Sequence, residues 1–326
     1  MDALLSAVAN ARVFDLAQSY FVGMPHFPTH PPFLYSLTKK HGDFVAPNGM
    51  SSAADSVFTP PQPDSSPVVE LRDVSIAFDG PPVLDAIDFS VSPVETRVVL
   101  GPAGVGKSVL LKLVNGLLRP DKGQILLFGQ EISHMPEEEL FPLRARTGMV
   151  FQESALFDSL TVRDNVGYLL IQQRVPPEEI DNRVREALSF VGLAETFDLY
   201  PASLSGGMRR RVAIARALIH SPEFILYDSP TGGLDPVTST TIIELIIKQR
   251  DVRRTPSLLV TPRLQDAFML CTHRFDPDRE EMVPLPRGET NPNTTFLMLE
   301  EGRLIFDGSL HDLLHSTNPF VREFLQ

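Results

Sequence analysis

Eight residues, GPAGVGKS (Gly101–Ser108), constrain this chain more than any other stretch. They follow the apolar run RVVL and open a helical pattern at Lys107. A strand, a glycine-rich turn and a helix starting at Lys-Ser fit G-x-x-x-x-G-K-[ST]. Gly101, Gly104 and Gly106 let backbone N–H groups converge on phosphate oxygens without Cβ interference. Pro102, Ala103 and Val105 complete the loop, and Val109 belongs with it as the first residue past Ser108. The helix start adds partial positive charge. Lys107 is expected to reach the β- and γ-phosphates, and the Ser108 hydroxyl to ligate Mg2+. The sequence therefore predicts ATP and Mg2+ as cofactors.

Around this motif the chain divides at TPPQPDSSP (59–67), which cannot sustain a helix or strand pairing and reads as a linker. The expected domains are an extension over 1–66 and a nucleotide-binding domain over 67–326. From 68 onward, short apolar runs alternate with amphipathic patterns, the mark of a largely parallel sheet flanked by helices. RVVLG, QILLFG (124–129), EFILYD (223–228) and SLLVT (257–261) read as strands, and a helix is expected from Lys107 to about Leu118. A mostly helical stretch from about 155 to 216 interrupts the alternation and reads as an inserted subdomain. TTFLMLEEGRLIFDG (294–308) reads as a hairpin followed by a terminal helix, and DPDREEMVPLPRGETNPN (276–293) as an exposed loop.

The net charge of -12 argues against a nucleic-acid partner. A single cysteine, Cys271, permits no internal disulfide and fits a reducing compartment. No apolar run reaches the ~18 residues that span a bilayer, so any membrane role is expected to come through a partner. ALLSAVANA (3–11) lacks the basic n-region of a signal peptide and reads as a short helix.

Two further stretches carry chemistry. In LSGGM (Leu204–Met208), Ser205 is a good helix N-cap, while Gly206 and Gly207 expose backbone donors at a helix start. Two anion-binding helix starts are hard to use on one phosphate tail within one chain, so this one suits another subunit's nucleotide. The following MRRR (208–211) reads as a solvated helix face. Asp228 closes the run ILYD and is placed to hold Mg2+ directly or through water.

In order, these motifs resemble an ABC-transporter ATPase subunit over 68–326. The resemblance implies a P-loop NTPase (RecA-like) α/β core with antiparallel β and inserted α-helical subdomains. It places Phe78 on the adenine and Gly101–Ser108 as phosphate loop. Gln152 in MVFQES becomes the Q-loop residue and a metal neighbour, and LSGGM the signature (Ser205, Gly206, Gly207, Met208). Asp228 becomes the Walker B aspartate and GGLD, ending at Asp235, the D-loop. It also implies head-to-tail pairing with a second ATPase subunit, homo- or heterodimeric, beneath an integral membrane permease. The expected location is cytoplasmic, peripheral on the inner face of the cell membrane. Within the family, FQESALFDSLTVRDNV with LSGGMRRRVAIARAL most resembles the ATPases of MCE/Mla-type lipid transporters, which adds an MCE-type lipid-binding protein as a partner.

Two positions depart from that pattern. Ser229 stands where the family has the glutamate that polarises water, and Pro262, in VTPRLQDA, where it has a histidine. A serine hydroxyl is no base near neutral pH, and proline offers neither a side-chain donor nor a backbone N–H. The chain is expected to bind MgATP and turn it over poorly. It would do so as one half of a pair with a competent ATPase, as a slow homodimeric clamp, or as a decayed copy. A regulatory pseudo-ATPase outside transport is the alternative function.

Residues 11–55 resemble the opening of a cyclase/kynurenine-formamidase-like protein, without its metal-binding motif. His26 and His30 in HFPTHPP cannot share a helix face and form no metal pair. This extension is expected to be partly disordered or draped on the ATPase domain.

Overall fold

The computed structural model describes residues 66–326. The expectations for residues 1–65 (the short helix, the cyclase-like segment, His26 and His30, most of the linker) lie outside the described residues.

Two sheets organise the domain. The first is antiparallel, built from β1 (Val69–Ala77), β2 (Pro82–Val91), β4 (Lys122–Leu127) and β5 (Gln130–Glu131), in the order β2-β1-β4-β5. A register shift between Leu71 and Val74 re-phases β1, so Val69, Leu71, Val74 and Ile76 all point inward.

The second sheet has the order β12-β11-β3-β8-β7-β6. Its strands are β3 (Thr96–Leu100), β6 (Thr147–Val150), β7 (Phe224–Asp228), β8 (Ser257–Val260), β11 (Thr294–Glu300) and β12 (Arg303–Gly308). All neighbours run parallel except β11 and β12, which form the expected antiparallel hairpin. Its central strands β3, β7 and β8 are buried at every residue and mostly apolar, because both faces are covered. Val98, Leu100, Ile225 and Tyr227 join one core, while Val99, Phe224, Leu226 and Val260 join the other, beneath the antiparallel sheet. The first core also takes in α3 (Val162–Gln172), α4 (Pro177–Phe190) and α5 (Gly206–Leu218), which follow the short α2 (Glu137–Arg144) and make up the inserted helical stretch.

Two expected spans differ. Helix α1 covers Lys107–Val114, stopping short of Leu118, because Asn115 closes it and the N–H groups of Leu117 and Leu118 turn back onto the Lys112 carbonyl. Residues 276–293 are not one loop. β9 (His273–Asp276) and β10 (Glu281–Pro284) pair antiparallel and seat on α6 (Pro236–Arg253). The Phe275 N–H donates to Asp251 Oδ2 (2.8 Å) and the Met282 N–H to Glu244 Oε1 (3.1 Å). Carboxylates of α6 thus take outward backbone donors of this ribbon, and the Lys248 ammonium lies 5.3 Å from the Phe275 ring. No helix among the described residues is long and apolar enough to cross a membrane.

Candidate nucleotide site

The parallel strands bring three sequence-distant loops to one edge. β8 lies between β3 and β7, with Val99, Val260 and Asp228 in register. The phosphate loop leaves β3, Asp228 ends β7, and Thr261–Pro262 follows β8, all at the carboxyl ends where such sheets bind ligands. Backbone bonds fix the junctions: the Ser229 N–H donates to Val260 O (2.9 Å), and the Thr261 N–H to Val99 O (3.2 Å).

Within the loop, Pro102, Ala103 and Gly104 form an exposed crest over a buried Gly101, Gly106 and Lys107, with Val105 and Val109 half-buried. Gly106 sits at φ 103, and a Cβ there would lie 2.9 Å from Leu84 Cδ2 and 3.0 Å from the Val83 carbonyl. Only glycine fits, which keeps this backbone free to turn its amides into the cradle. The Lys107 ammonium donates to the carbonyls of Gly101 (2.8 Å) and Pro102 (2.7 Å). Burial holds its pKa below the usual lysine value, with the Asp228 charge opposing. The Ser108 hydroxyl donates to Asp228 Oδ1 at 2.9 Å. Burial raises the Asp228 carboxyl; the Ser108 bond, the charges of Lys112 and Lys107 and the Ser229 hydroxyl pull the other way. A hydroxyl and a carboxylate in hydrogen-bond contact, beside a buried ammonium, are the hard-oxygen set that suits Mg2+ on a polyphosphate.

The remaining predicted residues fall in two groups. Phe78, just past β1, is 51% exposed and free to stack on a base. Gln152 lies in the exposed turn after β6, its Cγ 3.6 Å from where a Gly232 Cβ would be. Both Ser229 (φ 44) and the exposed Pro262 stand at the metal-side edge with neither a carboxylate nor an imidazole.

Ser205 and the signature stand apart. Among the described residues, no hydrogen bond or ion pair links Ser205–Met208 to the phosphate loop. Ser205 caps α5 as predicted, accepting from the Met208 N–H at 3.2 Å. The first turn of α5 packs on that of α6, itself capped by Asp235, which accepts from the Thr238 N–H at 3.0 Å. A Cβ on Gly207 would clash with Thr238 Cγ2. Gly207→Ala is therefore expected to cost about 1–3 kcal/mol by overpacking. Thr238→Ser removes the offending methyl and should recover most of that loss in a denaturant titration of the double variant.

The MRRR run departs from its expected solvated face at Arg210, which is 4% exposed. Its guanidinium donates to Phe151 O (2.8 Å) and Gly232 O (3.2 Å), contacts that local sequence does not betray. Asp266, also missed, is buried on α7 (Leu264–Thr272), and its Oδ2 accepts from Thr231 and from Thr261 (3.1 Å). It joins the turn after Asp228 to the end of β8.

The family model for ABC transporters matches residues 84–232. Protein TRIGALACTOSYLDIACYLGLYCEROL 3, chloroplastic, from Arabidopsis thaliana is 36% identical over 299 residues, 89% of this chain and 79% of that protein. That span exceeds residues 66–326, so it reaches into the preceding segment. Methionine import ATP-binding protein MetN from Rhizobium etli is 40% identical over 216 residues, 66% of this chain and 57% of the relative. Among solved structures, the dimeric post-hydrolysis ATP-binding cassette MJ0796 bound to ADP and Pi superposes with TM-score 0.63 at 27% identity, covering 74% of this chain and 98% of that one. A glycine-cradled lysine, a Ser–Asp pair that ties the phosphate loop to the end of β7 and these likenesses converge: the chain belongs to the ABC transporter family as an ATP-binding subunit.

Proposed function

We propose that this chain binds MgATP between its phosphate loop and a second subunit's signature, and couples closure of that pair to a membrane permease while hydrolysing little at its own site. The observation that carries the reading is the pairing of an intact Lys107–Ser108–Asp228 constellation with Ser229 and Pro262 at the same strand edge. ATP and Mg2+ supply the charge that draws the two subunits together. Lys107 and the loop amides hold the phosphates, Ser108 and Asp228 hold the metal, and Phe78 holds the base. Ser229 lacks a basic group for a water proton, and Pro262 presents no side-chain donor to the γ-phosphate. The Ser205–Met208 turn, exposed at Ser205 and Gly206 and half-buried at Gly207 and Met208, remains available to a partner's nucleotide, as expected of one half of an asymmetric pair. The chain would sit on the ATP-containing side of its membrane.

For cargo, we favour a lipid. The relative matching 89% of the chain is named for a galactosylated diacylglycerol, and SALFDSLTV after Gln152 resembles lipid-transport ATPases. An MCE-type lipid-binding protein would then complete the assembly. Methionine import is the second reading, supported by MetN at 40% identity over the nucleotide-binding core. Purification of the tagged full chain from native membranes with MgATP tests both. Recovery with an integral membrane protein and tightly held lipid is expected. Recovery without any membrane protein would favour a regulatory pseudo-ATPase, and a methionine-binding complex would favour the second cargo.

A further inference from the structure

Arg210 joins three parts of the site that are far apart in sequence. It lies on α5, one turn past the Ser205 cap, with Nη1 on the carbonyl of Phe151, which immediately precedes Gln152. Nη2 reaches the carbonyl of Gly232, in the turn that leads from Ser229 to Asp235. Arg216 donates to Ser154 O (2.9 Å) and Ala155 O (2.6 Å), so α5 grips both ends of the 151–155 turn. Of these two arginines, Arg210 also grips the segment after Asp228. A guanidinium is a rigid planar fork that stays charged when buried, so the two carbonyls it spans keep one separation. Lysine carries the charge without the fork, and methionine fills the volume without either.

Building on the nucleotide-site reading above, we propose that Arg210 is a positioning residue that makes the Gln152 turn, the signature helix and the turn after Asp228 move as one unit. A change at the metal-binding carboxylate then reaches Ser205–Met208 through this side chain. A hydrogen-bond network attached to both sites is one physical carrier of such coupling.

Hydrogen exchange on the full chain tests this, at a concentration where light scattering shows monomer. In the unmodified protein, MgATP is expected to slow exchange at 101–108, 151–155, 206–209 and 231–234 together. In Arg210→Met, slowing at 101–108 should stay within about twofold while the nucleotide response at 206–209 falls at least about fivefold. Arg210→Lys should fall between the two, and it carries the comparison if the methionine variant does not fold. A full response at 206–209 in a folded variant overturns the inference. So does an unmodified chain that responds at 101–108 but not at 206–209, with the nucleotide-site reading left standing. No response at 101–108 overturns both.

Discussion

Ser229→Glu combined with Pro262→His is expected to raise phosphate release by about 10²–10⁴-fold, the range a positioned general base contributes. The gain should need little rearrangement. Ser229 already holds its left-handed conformation, its N–H tied to Val260 O and its carbonyl to the Gly232 N–H at 2.8 Å. Glutamate inherits that strain without adding to it, and its longer side chain starts beside Asp228. Pro262 is exposed at the end of β8, so a histidine there displaces no core packing. Because the base on the water and the donor to the γ-phosphate act in one transition state, each single change should give much less than the double. A phosphate-release assay of all four proteins, with the partner subunit if one co-purifies, decides it. Bound ATP with no gain would place the fault beyond these two positions.

Lys107→Ala should have the largest effect on binding. The ammonium is 7% exposed and held by two loop carbonyls. Facing phosphate, it would make charge-assisted bonds worth about 1.5–3 kcal/mol each. Losing two of them weakens MgATP roughly 100-fold or more. The unliganded protein should be affected far less, because removing the lysine also removes the cost of a buried charge. A thermal melt is therefore expected to show a near-normal midpoint without nucleotide and almost no upward shift with MgATP. A retained shift would mean that Lys107 does not face the phosphates.

Much of the site was legible because its residues announce themselves locally. Gly101–Ser108 sits between a buried apolar strand and a helix, and Asp228 ends a strand whose every residue is buried. Continuous apolar runs mark strands covered on both faces, which is why the central sheet could be placed. The β9–β10 ribbon could not, since carboxylates of α6 that are distant in sequence take its backbone donors. Arg210 was misread for the same reason. Three adjacent arginines look solvated until the fold brings the carbonyls of Phe151 and Gly232 over one of them. Asp266 gave no sequence signal: Thr261 and Arg263 lie near it along the chain, but Thr231, the partner that ties it to the turn after Asp228, is met only in the fold.

The proposed slow hydrolysis at this chain's own site predicts that bound ATP persists. Its most direct test is to load the full chain with a stoichiometric amount of γ-phosphate-labelled MgATP, incubate, quench in acid and separate the label. Nearly all of it should be recovered as ATP from the protein-bound fraction over many minutes. Label recovered as free phosphate within seconds, at the rate of an ordinary member of the family, would contradict the account.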